Sequence, residues 1–255
     1  MARFQSTSSD RLSEPFLLQL ARGQIPGHFH VNKFGRNTAC VAAGAEEIWD
    51  GSAVYVFPAT ALMTSMSQTA DQAAMQGQTI EWQGLDANWN RVTQTAKLDA
   101  ANTTTVVTLD TPMIRCFRGR VLANVVGDSN IRCHNAGETQ DYAIIGIGNN
   151  QTLMAIYTIP ANHSGYLTNY WAHHNPAAGQ QFTSNAIKMW GADNERGYAK
   201  QLKHIVGVAE DGGFVHPFVP FLKFTEKSDV YITSSPVAAA ADISAGFDLI
   251  MVDES

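Results

Sequence analysis

GNNQTLMAIYTIPANHSGYL, residues 148–167, carries the strongest structural signal in the chain. Two strand-like runs flank Pro160-Ala161-Asn162-His163-Ser164-Gly165, whose residue types suit a turn. Side chains alternate between the faces of a strand, so Leu153, Ala155, Tyr157 and Ile159 share one face while Met154 and Ile156 occupy the other. Apolar bulk on both sides is what a strand covered on both sides requires. Tyr166, Tyr170 and Trp171 add large apolar surface within one further strand length. The segment is therefore expected to be the central hairpin of a β-sandwich, and nothing in it suggests chemistry.

Outward from this segment, short strands separated by Gly, Asn and Asp turns are expected at 53–57, 79–82, 92–98, 104–109, 113–121, 130–134 and 142–147. Beyond it, 171–179 reads as a long connection through Pro176, followed by strands at 186–190, 202–208, 214–224, 230–233 and 243–252. In the last of these Phe247, Leu249 and Met251 alternate with Ile250 and Val252, which implies a central place in a sheet. Helical signals are scarce. Residues 70–75 suit one turn, and Ser13-Glu14-Pro15 offers an N-cap, an early acid and a first-turn proline. Phe16, Leu17, Leu20 and Ala21 then share a face, with Gly23 as the stop. So short a helix must dock on the body or on another chain to persist. The class is all-β, a β-sandwich or jelly-roll-like body of one or two sandwiches. Its expected divisions are an extended, separable N-terminal arm carrying the short helix over 1–37, a first β-rich domain over 38–126 and a second β-sandwich domain over 127–255.

The chain has 255 residues, 45% of them apolar, enough for a core that folds without staples. Cys40, Cys116 and Cys133 are odd in number and lack CxxC spacing, so they read as buried thiols of a protein made in a reducing compartment. The N-terminus MARFQSTSSDRLSEPF has no apolar core of secretory length, and the chain has no apolar run of about 18 residues, so neither export by a standard signal nor a membrane partner is expected. A net charge of -6 with only 17 scattered Lys and Arg argues against a dedicated nucleic-acid binder. Charged residues make up 16% of the chain, against roughly 25% in ordinary soluble domains, and the amide- and hydroxyl-rich remainder suits a protein packed against neighbours.

Catalytic and metal motifs do not assemble. There is no GxSxG elbow or GxxxxGK[ST] loop, and Gly146-Ile147-Gly148 lacks the third glycine and the helix of a dinucleotide fingerprint. His28 and His30 form an HxH pair without a nearby carboxylate, so no metal is expected. His173-His174 reads as surface or interface histidine, and Glu46-Glu47 and Glu210-Asp211 as solvated turns. Glu81, Asp86, Glu138, Asp141, Glu195 and Glu210 leave a spatial carboxylate pair open, but no nucleophile, base and orienting group can be named together. No enzyme activity and no cofactor are expected. Trp49, Trp82, Trp89, Trp171 and Trp190 suit core and interface packing, with sugar stacking as a second use.

Taken together, Asn32-Lys33-Phe34-Gly35-Arg36-Asn37, Glu47-Ile48-Trp49-Asp50-Gly51, Gly84-Leu85-Asp86-Ala87-Asn88-Trp89-Asn90, Ile156-Tyr157-Thr158-Ile159-Pro160-Ala161, Glu226-Lys227-Ser228-Asp229-Val230 and Gly246-Phe247-Asp248-Leu249-Ile250 resemble structural proteins of tailed phages, especially phages of marine and freshwater bacteria. The resemblance runs from about residue 32 to residue 253. It implies a virion component made in the host cytoplasm, and no functional residue transfers position by position. A capsid decoration or cement protein on the capsid exterior fits best, with the major capsid protein and further copies of itself, as a trimer, for partners. A tail, spike or neck component that grips host glycans is the alternative. Missing repeats and heptads weigh against a fibre, and the missing long spine helix against the shell protein. The candidate interface comprises Phe16, Leu17, Leu20, Phe29, Phe34 and Trp171.

Overall fold

The computed structural model describes residues 14–41, 44–51, 53–175, 184–209, 211–236 and 241–255. In chain order its elements are helix α1 (Phe16–Ala21) and strands β1 (His28–Cys40), β2 (Glu46–Glu47), β3 (Met63–Gln68), β4 (Thr79–Asp86), β5 (Arg91–Lys97), β6 (Val107–Val121) and β7 (Ile131–His134). Then follow β8 (Asp141–Ile145), β9 (Ile156–Thr158), β10 (His163–Asn175), β11 (Ser184–Asp193), β12 (Gln201–Ala209), β13 (Gly213–Phe224), β14 (Ser228–Pro236) and β15 (Ala241–Asp253). A single 3-10 turn, Ala73–Met75, falls where one turn was expected.

These strands form three antiparallel sheets that stack as layers. The outer four-stranded sheet has the order β1-β15-β10-β13. The middle sheet runs β12-β11-β14-β2, with β9 also paired to β14, and the third runs β5-β4-β6-β3-β7-β8. One core, including Phe247, Leu249, Met251, Tyr170, Ile187, Met189, Val230 and Ile232, fills the space between the first two sheets. A second, including Trp82, Met66, Met113, Ile131 and Tyr142, lies against the third.

Residues 154–159 sit between these cores, and their alternation is the reason. Ala155, Tyr157 and Ile159 enter the first core, and Met154 and Ile156 the second. β14 behaves likewise, sending Val230 and Ile232 one way and Tyr231 the other. The two runs of this segment do not form a hairpin, however. β9 pairs with β14, whereas β10 pairs with β13 and β15. Asn162, in the left-handed region at φ 58°, turns the chain from the middle sheet to the outer one, because a strand buried on both faces needs partners in its own layer before the chain can leave it.

Other expectations shift for local reasons. Residues 53–57 form no strand: Tyr55 and Phe57 turn towards the second core, while Val54 and Val56 are exposed. The strands expected at 104–109 and 113–121 are one strand, β6, and Pro112 is accommodated where the register with β3 and β4 shifts, since a bulge relieves it of donating a ladder bond. Residues 171–175 continue β10, so the expected connection there is strand; 176–179 lie outside the described residues. The break expected between residues 126 and 127 does not follow the sheets, because β7 and β8 complete the six-stranded sheet begun before it. β15 is central, flanked by β1 and β10 along its whole length. The three cysteines are free and buried.

At the N-terminus, Pro15 occupies the N-cap of α1 without a side-chain cap, and Gly23 ends the turn at φ 66°. Leu20 and Ile25 pack on Ile250 and Tyr166, so the helix docks on its own chain. Residues 28–40 are bound into the sheet: β1 pairs with β15 from His28↔Val252 to Cys40↔Ala241. The separable part of the arm therefore ends before His28.

Candidate functional site

Register defines the outer face of the four-stranded sheet. Odd residues of β15 point into the first core, so Asp242, Ser244, Gly246, Asp248 and Ile250 point outward. One row across the four strands is Phe34, Gly246, Trp171 and Val215. Its polar neighbour rows are Asn32, Asp248, Asn169 and Pro217 on one side, and Arg36, Ser244, His173 and Gly213 on the other. The fourth row, His30, Ile250, Tyr166 and Lys223, runs beneath α1.

Gly246 is what lets the aromatic row lie flat. A Cβ there would sit 2.6 Å from the Lys33 carbonyl oxygen and 2.8 Å from indole atoms of Trp171, so the indole rests on bare backbone. Carboxylates brace both flanks. Asp248 accepts hydrogen bonds from His30 Nε2 (3.0 Å), Asn32 Nδ2 (2.8 Å) and Asn169 Nδ2 (3.1 Å), and these, His30 first, hold its carboxyl below the ordinary range. Asp242 is pushed up by burial, but the Arg36 guanidinium (2.9 and 2.5 Å) and Asn175 amide (3.1 Å) more than reverse it. The face thus offers a half-exposed aromatic strip between two rigid polar rails.

Apolar side chains project at two borders of this face. On α1, Phe16, Leu17 and Leu18 are exposed, Leu17 by 62%. On edge strand β13, Val215 and Val219 are 71% and 89% exposed, with Phe221 beside them. Together they leave apolar side chains open to solvent along an unpaired strand edge.

Of the candidate interface residues, Phe34 and Trp171 share a row, while Phe16 and Leu17 project from the helix above the next rows. Leu20 is buried against Ile250. Phe29 points to the opposite side of β1, against the first core, with its edge on His163 (5.7 Å) and Arg91 over its ring (4.4 Å). Those two are support, not surface. Val215, Val219 and Phe221 escaped the sequence reading because 214–224 is apolar at nearly every position and resembles a buried strand; Pro217 and Pro220 were the edge signal.

Several polar positions also differ from expectation. Glu46 and Glu47 are buried, not solvated: β2 pairs with β14, and Glu47 Oε2 accepts the Tyr55 amide at 2.8 Å, burial raising its pKa. His173 is exposed and bonds Asn175, but His174 turns inward beside Asn185 because neighbours on a strand face opposite ways. Glu210 lies outside the described residues. Ser67 Oγ and His134 Nε2 meet at 3.0 Å, yet neither is reached by solvent, so the pair braces β3 against β7.

No protein-family model and no curated protein matches the chain. Among solved structures, the infectious bursal disease virus VP2 subviral particle aligns over 94% of this chain and 78% of its own, at 11% identity and a TM-score of 0.21, a likeness too slight to bear on fold or function.

Proposed function

We propose that the chain is a non-enzymatic virion structural protein, a decoration or cement protein that bridges subunits of a phage capsid from outside. The observation that carries this reading is the pair of apolar borders, α1 and β13, beside the outer sheet. The likeness of its sequence to tailed-phage structural proteins points the same way. Attachment would be multivalent: each border binds modestly, and simultaneous contacts with the major capsid protein and with sister copies in a trimer give stable attachment. Quantifying the chain against the major shell protein in purified virions tests it. Hundreds of copies fit a capsid-wide role, whereas a handful would overturn it in favour of tail, neck or vertex.

One observation favours the second reading, a tail or spike component that holds host glycans. Trp171 lies against Gly246 with Asn32, Asn169 and Asp248 beside it, an aromatic platform with amide and carboxylate partners for sugar hydroxyls. Saccharide-dependent change in Trp171 fluorescence, abolished in Trp171→Ala, would support it.

A further inference from the structure

Where β1 passes the six-stranded sheet, a cleft of about 330 Å³ opens between Lys33, Arg91, Arg118, Phe29 and Tyr157, a volume suited to a small ligand. Its charge is one-sided in a chain that is acidic as a whole. Among the described residues neither Arg91 nor Arg118 pairs with a carboxylate. The acid that acts on Arg118 through space, Glu81, is gripped at 2.8 and 3.1 Å by Arg120. Arg91 instead lies over the Phe29 ring, and Arg118 Nη2 donates only a long bond of 3.4 Å to the Asn32 carbonyl. Most of their N–H groups are therefore left for something else. Lys33 is 4% exposed and donates to the Phe117 carbonyl.

Two guanidinium groups gathered beside a buried amine, with no carboxylate paired to them directly, repel one another, so the arrangement carries a cost that a bound anion removes. Guanidinium forks match planar or tetrahedral oxygens in pairs. We propose that this cleft binds an oxyanion group, a phosphate, sulfate or carboxylate carried by a small molecule, through Arg91 and Arg118, with the buried Lys33 amine behind them. The cleft lies on the side of β1 opposite Phe34, so the site is separate from the aromatic row and independent of the decoration reading.

The test is calorimetric titration of the purified chain with inorganic phosphate, inorganic sulfate and succinate at constant ionic strength. Saturable binding of at least one is expected, weakened roughly tenfold by Arg91→Gln and by Arg118→Gln, about the worth of one charge-assisted hydrogen bond each. Arg91 is exposed, so its replacement leaves the sheet intact and keeps the test valid should Arg118→Gln fail to fold. Lys97→Gln, which removes an equal, exposed charge from the same sheet outside the cleft, should leave binding unchanged. Preference for phosphate and sulfate over succinate assigns a tetrahedral ligand, and the reverse a carboxylate. No saturable binding, or equal loss in Arg91→Gln and Lys97→Gln, overturns the proposal.

Discussion

Lys33 shows how one residue ties stability to pH. Burial first, and Arg118 second, bring it down from its ordinary value to about 7, whereas in an unfolded chain it titrates near about 10.4. Between those values the unfolded state binds more protons, so this group's contribution is fully present above the unfolded value and is lost as pH falls through about 7. Lys33→Met removes the titration. Its stability relative to the parent chain should be greatest near about pH 6 and fall by on the order of a few kcal/mol towards about pH 10; denaturant unfolding at both pH values reads the difference, and a constant offset would refute a lysine neutralised by burial. Gly246 acts by geometry alone. Gly246→Ala brings a methyl group within 2.6 Å of the Lys33 carbonyl, which is backbone and cannot swing away. The expected cost is about 1–3 kcal/mol, accompanied by a change in Trp171 emission; unchanged emission would mean the indole does not rest on Gly246.

At the scale of elements, the joint between the six-stranded and middle sheets is a buried ion pair. Arg115 of β6 and Asp229 of β14 meet through two bonds, 2.8 and 2.9 Å, at 3% and 2% exposure. Thr158 Oγ1 (2.5 Å) and Asn194 Nδ2 (2.7 Å) complete the carboxylate, and Arg115 also donates to the Pro58 (2.6 Å) and Ile114 (2.9 Å) carbonyls. Asp229→Asn leaves a guanidinium buried without its counter-charge and should destabilise by roughly 3–5 kcal/mol, read by urea unfolding; the Arg115→Met, Asp229→Leu double variant should recover much of that loss because no charge is stranded. A loss below about 1 kcal/mol in the single variant would place the pair in solvent's reach. None of this was legible in the sequence, since the partners stand 114 residues apart. By contrast, the two-faced burial of 154–159 was legible, because strand alternation is local. Its sheet partner was not: pairing is decided by β14, far along the chain. The same distinction explains Glu46 and Glu47, whose burial depends on β14 and Tyr55 and not on their own neighbours. For the candidate site, Phe34 and Trp171 were found by type, but only the register of β15 puts them in one row.

For the molecule as a whole, the N-terminus separates attachment from folding. A truncation that removes residues 1–26 takes away α1 and uncovers Ile250 and Tyr166, a small cluster on the outer face of the four-stranded sheet, separate from either main core. The remaining three sheets keep every strand, so the truncated chain should unfold cooperatively with a loss of only about 1–3 kcal/mol. Removing residues 1–37 strips most of β1 as well. β15, with Phe247, Leu249 and Met251 fully buried, would then become an open edge carrying unpaired backbone groups beside an exposed core, and aggregation is expected in place of a folded body. The two truncations therefore test different things, and only the shorter one tests attachment. If α1 is one of two borders that hold the chain on a particle, loss of residues 1–26 and Val219→Asp should each weaken particle binding roughly tenfold, and together by about the product, because the borders share no residues. Co-sedimentation with particles stripped of the chain measures both. Full binding by the shorter truncation would leave β13 as the sole contact and reduce α1 to a cover for Ile250.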